Sequence, residues 1–234
     1  HDRSPILWIP AVFSASGALI AAANPARWDA RFASIDDRWF HGVWSAWYEL
    51  GGRPAWLVDF ASVSYFSFYL VPITVALRLR REAPRAFARF AFIVEATFFA
   101  TILGYALFPT TGPRVAEAQA AAAIGGGPLT AALRAFLSMA ERNLLDAFPS
   151  GHAAVSVVVA VCGGRYLRRW RARLAFFATM VVFSTVYLSL HYIVDLVAGA
   201  VVAAAVLALQ SRLERAFGLA PPHRAAGRGL AGAI

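Results

Sequence analysis

Six apolar runs, at about 5–23, 55–77, 90–108, 150–167, 174–190 and 191–209, set the terms on which this 234-residue chain can fold. Each approaches the roughly 20 residues that an α-helix needs to cross a hydrocarbon core of about 30 Å. Inside that core a backbone N–H or C=O finds no water, so a spanning segment must satisfy its own polar groups, as a helix does. The expected fold is therefore all-α: an integral membrane bundle of six transmembrane helices, in one domain covering 1–234. With 59% hydrophobic and 15% charged residues and a mean hydropathy of +0.58, an ordinary soluble domain and a disordered chain are both excluded. The first run, closed by Asn24-Pro25, reads as the first crossing, with a signal segment as the alternative.

The charges between the runs orient the bundle. All 22 basic residues are Arg, and the chain has no Lys. Arg3, Arg78, Arg80, Arg81, Arg85, Arg89, Arg165, Arg168, Arg169, Arg171, Arg173, Arg212, Arg215, Arg224 and Arg228 fall on one side, with only Asp2, Glu82 and Glu214 among them. The other side sets seven Arg against seven acids. The positive-inside rule then puts the Arg-rich side and both termini in the cytoplasm, and the neutral side outside a bacterial-type plasma membrane. The net charge of +9 belongs to this rim, which suits anionic lipid. Because the Arg residues flank apolar runs rather than interleave with stacking aromatics, nucleic-acid binding is excluded. A single Cys162 in an apolar run offers no disulfide and reads as packing.

Two connecting stretches are not simple loops. Arg27 to Arg53 is polar and Trp-rich, with Trp28, Trp39, Trp44, Trp47 and Tyr48, the composition of a segment lying at the lipid–water interface. Before span four, the Ala- and Gly-rich stretch Ala118 to Gly127 reads as a flexible lid, and the amphipathic run Leu129 to Leu145 as an interfacial helix. Span four opens at Asp146-Ala-Phe-Pro149-Ser150, where Pro and Ser suit a helix start and leave amide N–H groups pointing outward.

Chemistry collects on the neutral side. Of five His, His152 and His191 both fall at junctions between apolar runs and loops there. His191 and Asp195 are spaced to share a helix face at the start of span six, where a carboxylate fixes the imidazole tautomer. His152 follows Ser150 and Gly151, whose helix-start amides suit an oxyanion beside a proton-exchanging imidazole. Arg114, in Phe108-Pro-Thr-Thr-Gly-Pro-Arg114, adds a planar cation that fits phosphate. Taken singly these are ordinary features: an interfacial His, an i,i+4 staple, a helix start and a headgroup anchor. Their coincidence on one side makes a candidate site of His191, Asp195 and His152 for catalysis, with Arg114, Ser150 and Gly151 for phosphate. Asp59 and Glu95 are intramembrane acids outside this site, and Gly163, Gly164 and Gly199 read as packing positions.

Pro149-Ser150-Gly151-His152, followed by Ser184 through His191 to Asp195, resembles the second and third motifs of the type-2 phosphatidic acid phosphatase superfamily. The resemblance runs from about Phe90 to Ala200. Thr185 stands where the third motif has Arg, and the first motif, which needs Lys, is replaced by the stretch ending in Arg114. The pattern looks most like the branch containing inositol-phosphorylceramide synthases, which transfer a phosphorylated headgroup. The resemblance implies six spans with the motifs on one side, and attack on phosphorus by His191, held by Asp195. It further implies His152 as acid and then base, Arg114 and the amides at Ser150 and Gly151 on the equatorial oxygens, and no metal or other cofactor.

Three functions follow as expectations. The first is a lipid-phosphate phosphatase at the exoplasmic face, with a membrane lipid phosphate as substrate. The second is a lipid phosphotransferase moving a headgroup to a lipid hydroxyl, which fewer phosphate cations would suit. The third, a small transporter using Asp59, Glu95 and the two His, would need polar residues through the midplane, whereas His152, His191 and Arg114 gather near one side. Oligomeric state, lipid tail and acceptor are left open by the sequence.

Overall fold

The computed structural model describes residues 9–49, 53–116, 124–140 and 143–219. Residues 5–8 of the first run, 118–123 of the lid, and Asp2, Arg3, Glu117, Glu141, Arg142, Arg224 and Arg228 lie outside the described residues, as do the side chains of Trp44, Trp47 and Tyr48. Among the described residues the regular structure is helical. In chain order it comprises α1 (Ile9–Ala23), α2 (Asp29–Glu49), α3 (Ala55–Glu82), α4 (Pro84–Leu107) and the single turn α5 (Pro113–Ala116). There follow α6 (Pro128–Ala140), α7 (Gly151–Tyr166), a 3-10 turn (Arg168–Trp170), α8 (Arg171–Tyr187) and α9 (Ile193–Ala216).

Helices α3, α4 and α9 are long and apolar enough to cross a membrane, which points to a membrane protein. Helix α3 runs on through Arg80 and Arg81, whose charges suit the negative end of a helix, and α4 restarts with Pro84 at its first position. The Trp-rich segment is itself a helix, α2, and one of its acids, Asp36, accepts from the Val194 amide at 2.9 Å. Among the described residues α6 runs to Ala140, and residues 143–145 are not helical, short of the expected end at Leu145.

Helix α7 is the axis of the bundle, packed by α3, α4, α8 and α9. It lacks an amphipathic stripe because it has no solvent face to serve: Ala153, Ala154, Val155, Val158, Val159 and Cys162 are all buried. The surrounding core is Val75 and Leu79 of α3, Phe90 and Ile93 of α4, Phe177 and Val181 of α8, and Ala203 of α9. Small residues permit this closeness. A Cβ on Gly199 would meet the Ser150 carbonyl, and one on Gly104 would overlap the Pro149 ring, so α9 and α4 close on the start of α7.

At the other end of the bundle a polar cluster ties α4, α7 and α9. Arg89 pairs with Glu214, Gln210 Nε2 donates to Glu214 Oε1 at 2.8 Å, and Arg165 donates to Gln210 Oε1 at 3.0 Å. Asp59 of α3 has a structural task, accepting from the Gly127 amide at 2.9 Å, the Thr130 amide at 3.1 Å and the Thr130 hydroxyl. It thus caps the start of α6 from a neighbouring helix and pins the last part of the expected lid.

Candidate active site

The site begins with two turns. Helix α8 ends at Tyr187, earlier than the apolar run, because the chain folds back there: the Leu190 and His191 amides both bond the Thr185 carbonyl, at 2.8 and 3.3 Å. Ser189 takes a positive φ of 53° in this turn. His191 therefore precedes α9 instead of sitting on its first turn, which corrects the shared helix face expected from the sequence. Asp195 nevertheless reaches it. Its Oδ2 accepts the Tyr192 amide at 2.9 Å in a capping box and lies 3.4 Å from His191 Nδ1.

His152 arrives from the second turn. Ser150 caps α7 by accepting from the Ala153 amide at 3.3 Å, while its own amide donates to the Asp195 carbonyl at 2.9 Å. These bonds set His152 Nδ1 at 3.3 Å from His191 Nε2. The far face of the His152 ring packs on Tyr65 and Phe68 of α3, with ring centroids at 4.7 and 4.4 Å. Asp195 is fully buried and His191 is 4% exposed, so neither ionic form is solvated and the protein must supply its partner.

The remaining candidates take part less directly. The Ser150 amide is engaged by the Asp195 carbonyl, so a phosphate would have to exchange with that bond. Gly151 is needed for packing, since a Cβ there would lie 2.5 Å from Tyr105 Oη. Arg114 forms an ion pair with Asp146. Its loop is fixed by Asp29, whose Oδ1 accepts from the Thr111 amide and hydroxyl, both at 2.8 Å, and by the Ala147 amide on the Thr110 carbonyl at 3.0 Å. Stacking of Phe32 on Phe148, at 4.0 Å between centroids, holds α2 against the same corner.

From His152 an apolar groove of about 390 Å³ runs between α3 and α4, with Gly151, Asp146 and Tyr105 at its inner end. Phe66 and Phe98 line it, and Leu70, Ile73 and Phe136 are exposed along it. The sequence reading missed Tyr65, Phe68, Tyr105, Asp29 and Asp146 as parts of the site. Only Asp146 carries a signal, an acid just ahead of the Pro149-Ser150 start. Thr185, in the position of the family's Arg, turns its hydroxyl onto the Val182 carbonyl at 2.8 Å.

The chemistry available follows from the tautomers. With Asp195 facing Nδ1 of His191, the ring proton belongs there, so Nε2 holds the lone pair and His152 must offer a proton through Nδ1. Such a pair can supply a nucleophile from one ring and an acid from the other. A family model described as the PAP2 superfamily matches residues 33–209 of the chain. No curated protein and no solved structure matches it.

Proposed function

The chain belongs to the type-2 phosphatidic acid phosphatase superfamily, and on that premise we propose that it is an integral-membrane lipid-phosphate phosphatase acting through a phosphohistidine. The observation that carries the reading is the row Asp195, His191, His152, spaced 3.4 and 3.3 Å, with the apolar groove ending on His152. In the first step His191 Nε2 attacks phosphorus, the bond to the lipid oxygen breaks, and His152 Nδ1 protonates that oxygen as it leaves. In the second step His152 takes a proton from water, whose oxygen displaces His191 from phosphorus and frees inorganic phosphate. Asp195 stabilises the imidazolium character that His191 acquires on attack. Arg114, with the start of α7 at Ser150 and Gly151, supplies the positive field for the equatorial oxygens. This sequence of steps needs no metal or other cofactor.

The same proposal places six crossings at α1, α3, α4, α7, α8 and α9, with both termini cytoplasmic and the histidines at the exoplasmic side of a plasma membrane. It is supported by the separation of His152 and Arg165 to opposite ends of α7, about 20 Å apart at 1.5 Å per residue. A headgroup transferase remains the second reading. It is favoured by Thr185, whose hydroxyl is committed to its own helix, and by the missing Lys, since a phosphodiester presents less charge than a monoester.

Product analysis tests the choice. Purified protein is given phosphatidic acid, polyprenyl pyrophosphate and phosphatidylinositol, with and without ceramide or diacylglycerol, against a His191→Ala control. Free phosphate that disappears in the control is the expected result. A new acceptor-linked phospholipid without free phosphate would replace the phosphatase by the transferase.

A further inference from the structure

Arg165, Arg168 and Arg171 line one cavity of about 520 Å³ between α7 and α8, at the end of the bundle away from the histidines. Among the described residues no acid lines it. Arg165 is held by the neutral amide of Gln210, and the nearby carboxylate of Glu214 is committed to Arg89 and Gln210. Neither Arg168 nor Arg171 makes an ion pair among the described residues. Three arginines around one space hold like charges close together, and an anion between them converts that repulsion into attraction. Their planar forks suit the oxygens of a phosphate better than those of a spherical ion.

The packing is arranged to bring them together. A Cβ on Gly164 would come 3.3 Å from Cγ and 3.5 Å from Cα of Arg171, so the start of α8 lies close against α7 at this glycine. Below the charges the cavity is floored by Ala160, Val161 and Ala175. From Arg165 down to Ala160 the helix descends about 7.5 Å at 1.5 Å per residue, room for a glycerol backbone and the first methylenes of a chain. A free phosphate would use the charges and leave this apolar floor empty.

We propose that this cavity binds the headgroup phosphate of an anionic phospholipid, drawn from the leaflet opposite the one that the histidines face. The site is independent of the catalytic chemistry and rests on the crossing of the membrane by α7 and α8 proposed above. It gives the bundle a specific lipid contact where the sequence alone shows only a basic rim.

Native mass spectrometry of the full chain, released from mixed phosphatidylglycerol and phosphatidylcholine, tests this. The wild-type protein is expected to retain phosphatidylglycerol preferentially, and Arg168→Gln/Arg171→Gln to lose that retention by about thirtyfold, the scale of two interfacial arginines. Arg169→Gln, a neighbouring charge outside the cavity, is expected to retain lipid like the wild type. Phosphatidylglycerol should also raise the Tm of the wild type and not that of the double variant. If the double variant does not fold, Arg168→Gln alone, in an exposed turn, should show intermediate retention. Equal retention by the wild type and the arginine variants overturns the site, equal loss in Arg169→Gln reduces it to diffuse charge, and the same Tm rise from inorganic phosphate alone overturns the lipid assignment.

Discussion

The Ser150 amide donates to the Asp195 carbonyl at 2.9 Å, so the segment that carries one histidine is laced by main chain to the segment that orients the other. The carboxylate of Asp195 is spare to this lacing and free for His191 and the Tyr192 amide. Asp195→Asn therefore keeps the main-chain link while removing the charge. Turnover should fall on the order of 10⁴-fold, the scale seen when a histidine's orienting carboxylate becomes an amide. Circular dichroism should be unchanged, and a turnover loss below about tenfold would remove Asp195 from the mechanism.

The two histidines separate by substrate. His191→Ala should abolish both turnover and an acid-labile phosphoenzyme. His152→Ala should still label from an aryl phosphate, whose leaving group needs no proton, and lose most activity on alkyl esters. Comparable rates of the His152 variant on the two classes would show that another group is the acid.

Gly104 faces the Pro149 ring, and an added Cβ would lie 2.8 Å from Cγ of that proline, closer than real contacts allow. Gly104→Ala should cost about 1–3 kcal/mol, as overpacking does, and displace the start of α7 with it. A thermal melt indistinguishable from wild type would contradict the close packing of α4 on this turn.

Glu214 and Arg89 are 3% and 15% exposed. Glu214→Ala leaves a buried guanidinium uncompensated and should destabilise by about 3–5 kcal/mol. Replacing both, as Arg89→Met/Glu214→Leu, should recover much of that loss, because a buried pair adds little over packed apolar groups. Unfolding in denaturing detergent measures both, and equal destabilisation by the single and double variants would mean the pair itself is required.

Asp59 caps α6, and α6 brings Phe136 to the groove, where Phe66 meets it edge-on with centroids 5.5 Å apart. Asp59→Ala should raise KM for long-chain substrates several-fold with kcat little changed, the signature of lost uniform binding. A fall in kcat at constant KM would place Asp59 in the chemistry instead.

The long apolar helices α3, α4 and α9, and the segments that bring His152, His191 and Asp195 together, were legible in the sequence because apolar runs are local and the polar residues that interrupt them are few. The end of α8 was not. The apolar run at 174–190 flows into the next without a polar break, and the turn that frees His191 from the helix depends on amides returning to the Thr185 carbonyl. Nor could spacing reveal Tyr65 and Phe68 against His152, or Asp29 under the Arg114 loop, since each comes from a distant segment and looks in sequence like any aromatic or loop acid. Asp59 was visible as a costly intramembrane charge, but its donors, Gly127 and Thr130, belong to a helix start that only tertiary packing brings near.

The groove from His152 is lined by α3 and α4 and passes Leu70 and Ile73, both exposed apolar side chains, which suits entry of a substrate from among neighbouring lipids. A substrate taken from that direction is never counted in moles per litre. Occupancy of the site follows its share among neighbouring lipids, so adding inert detergent or lipid at constant substrate slows the reaction by surface dilution, and rates compare only at matched mole fractions.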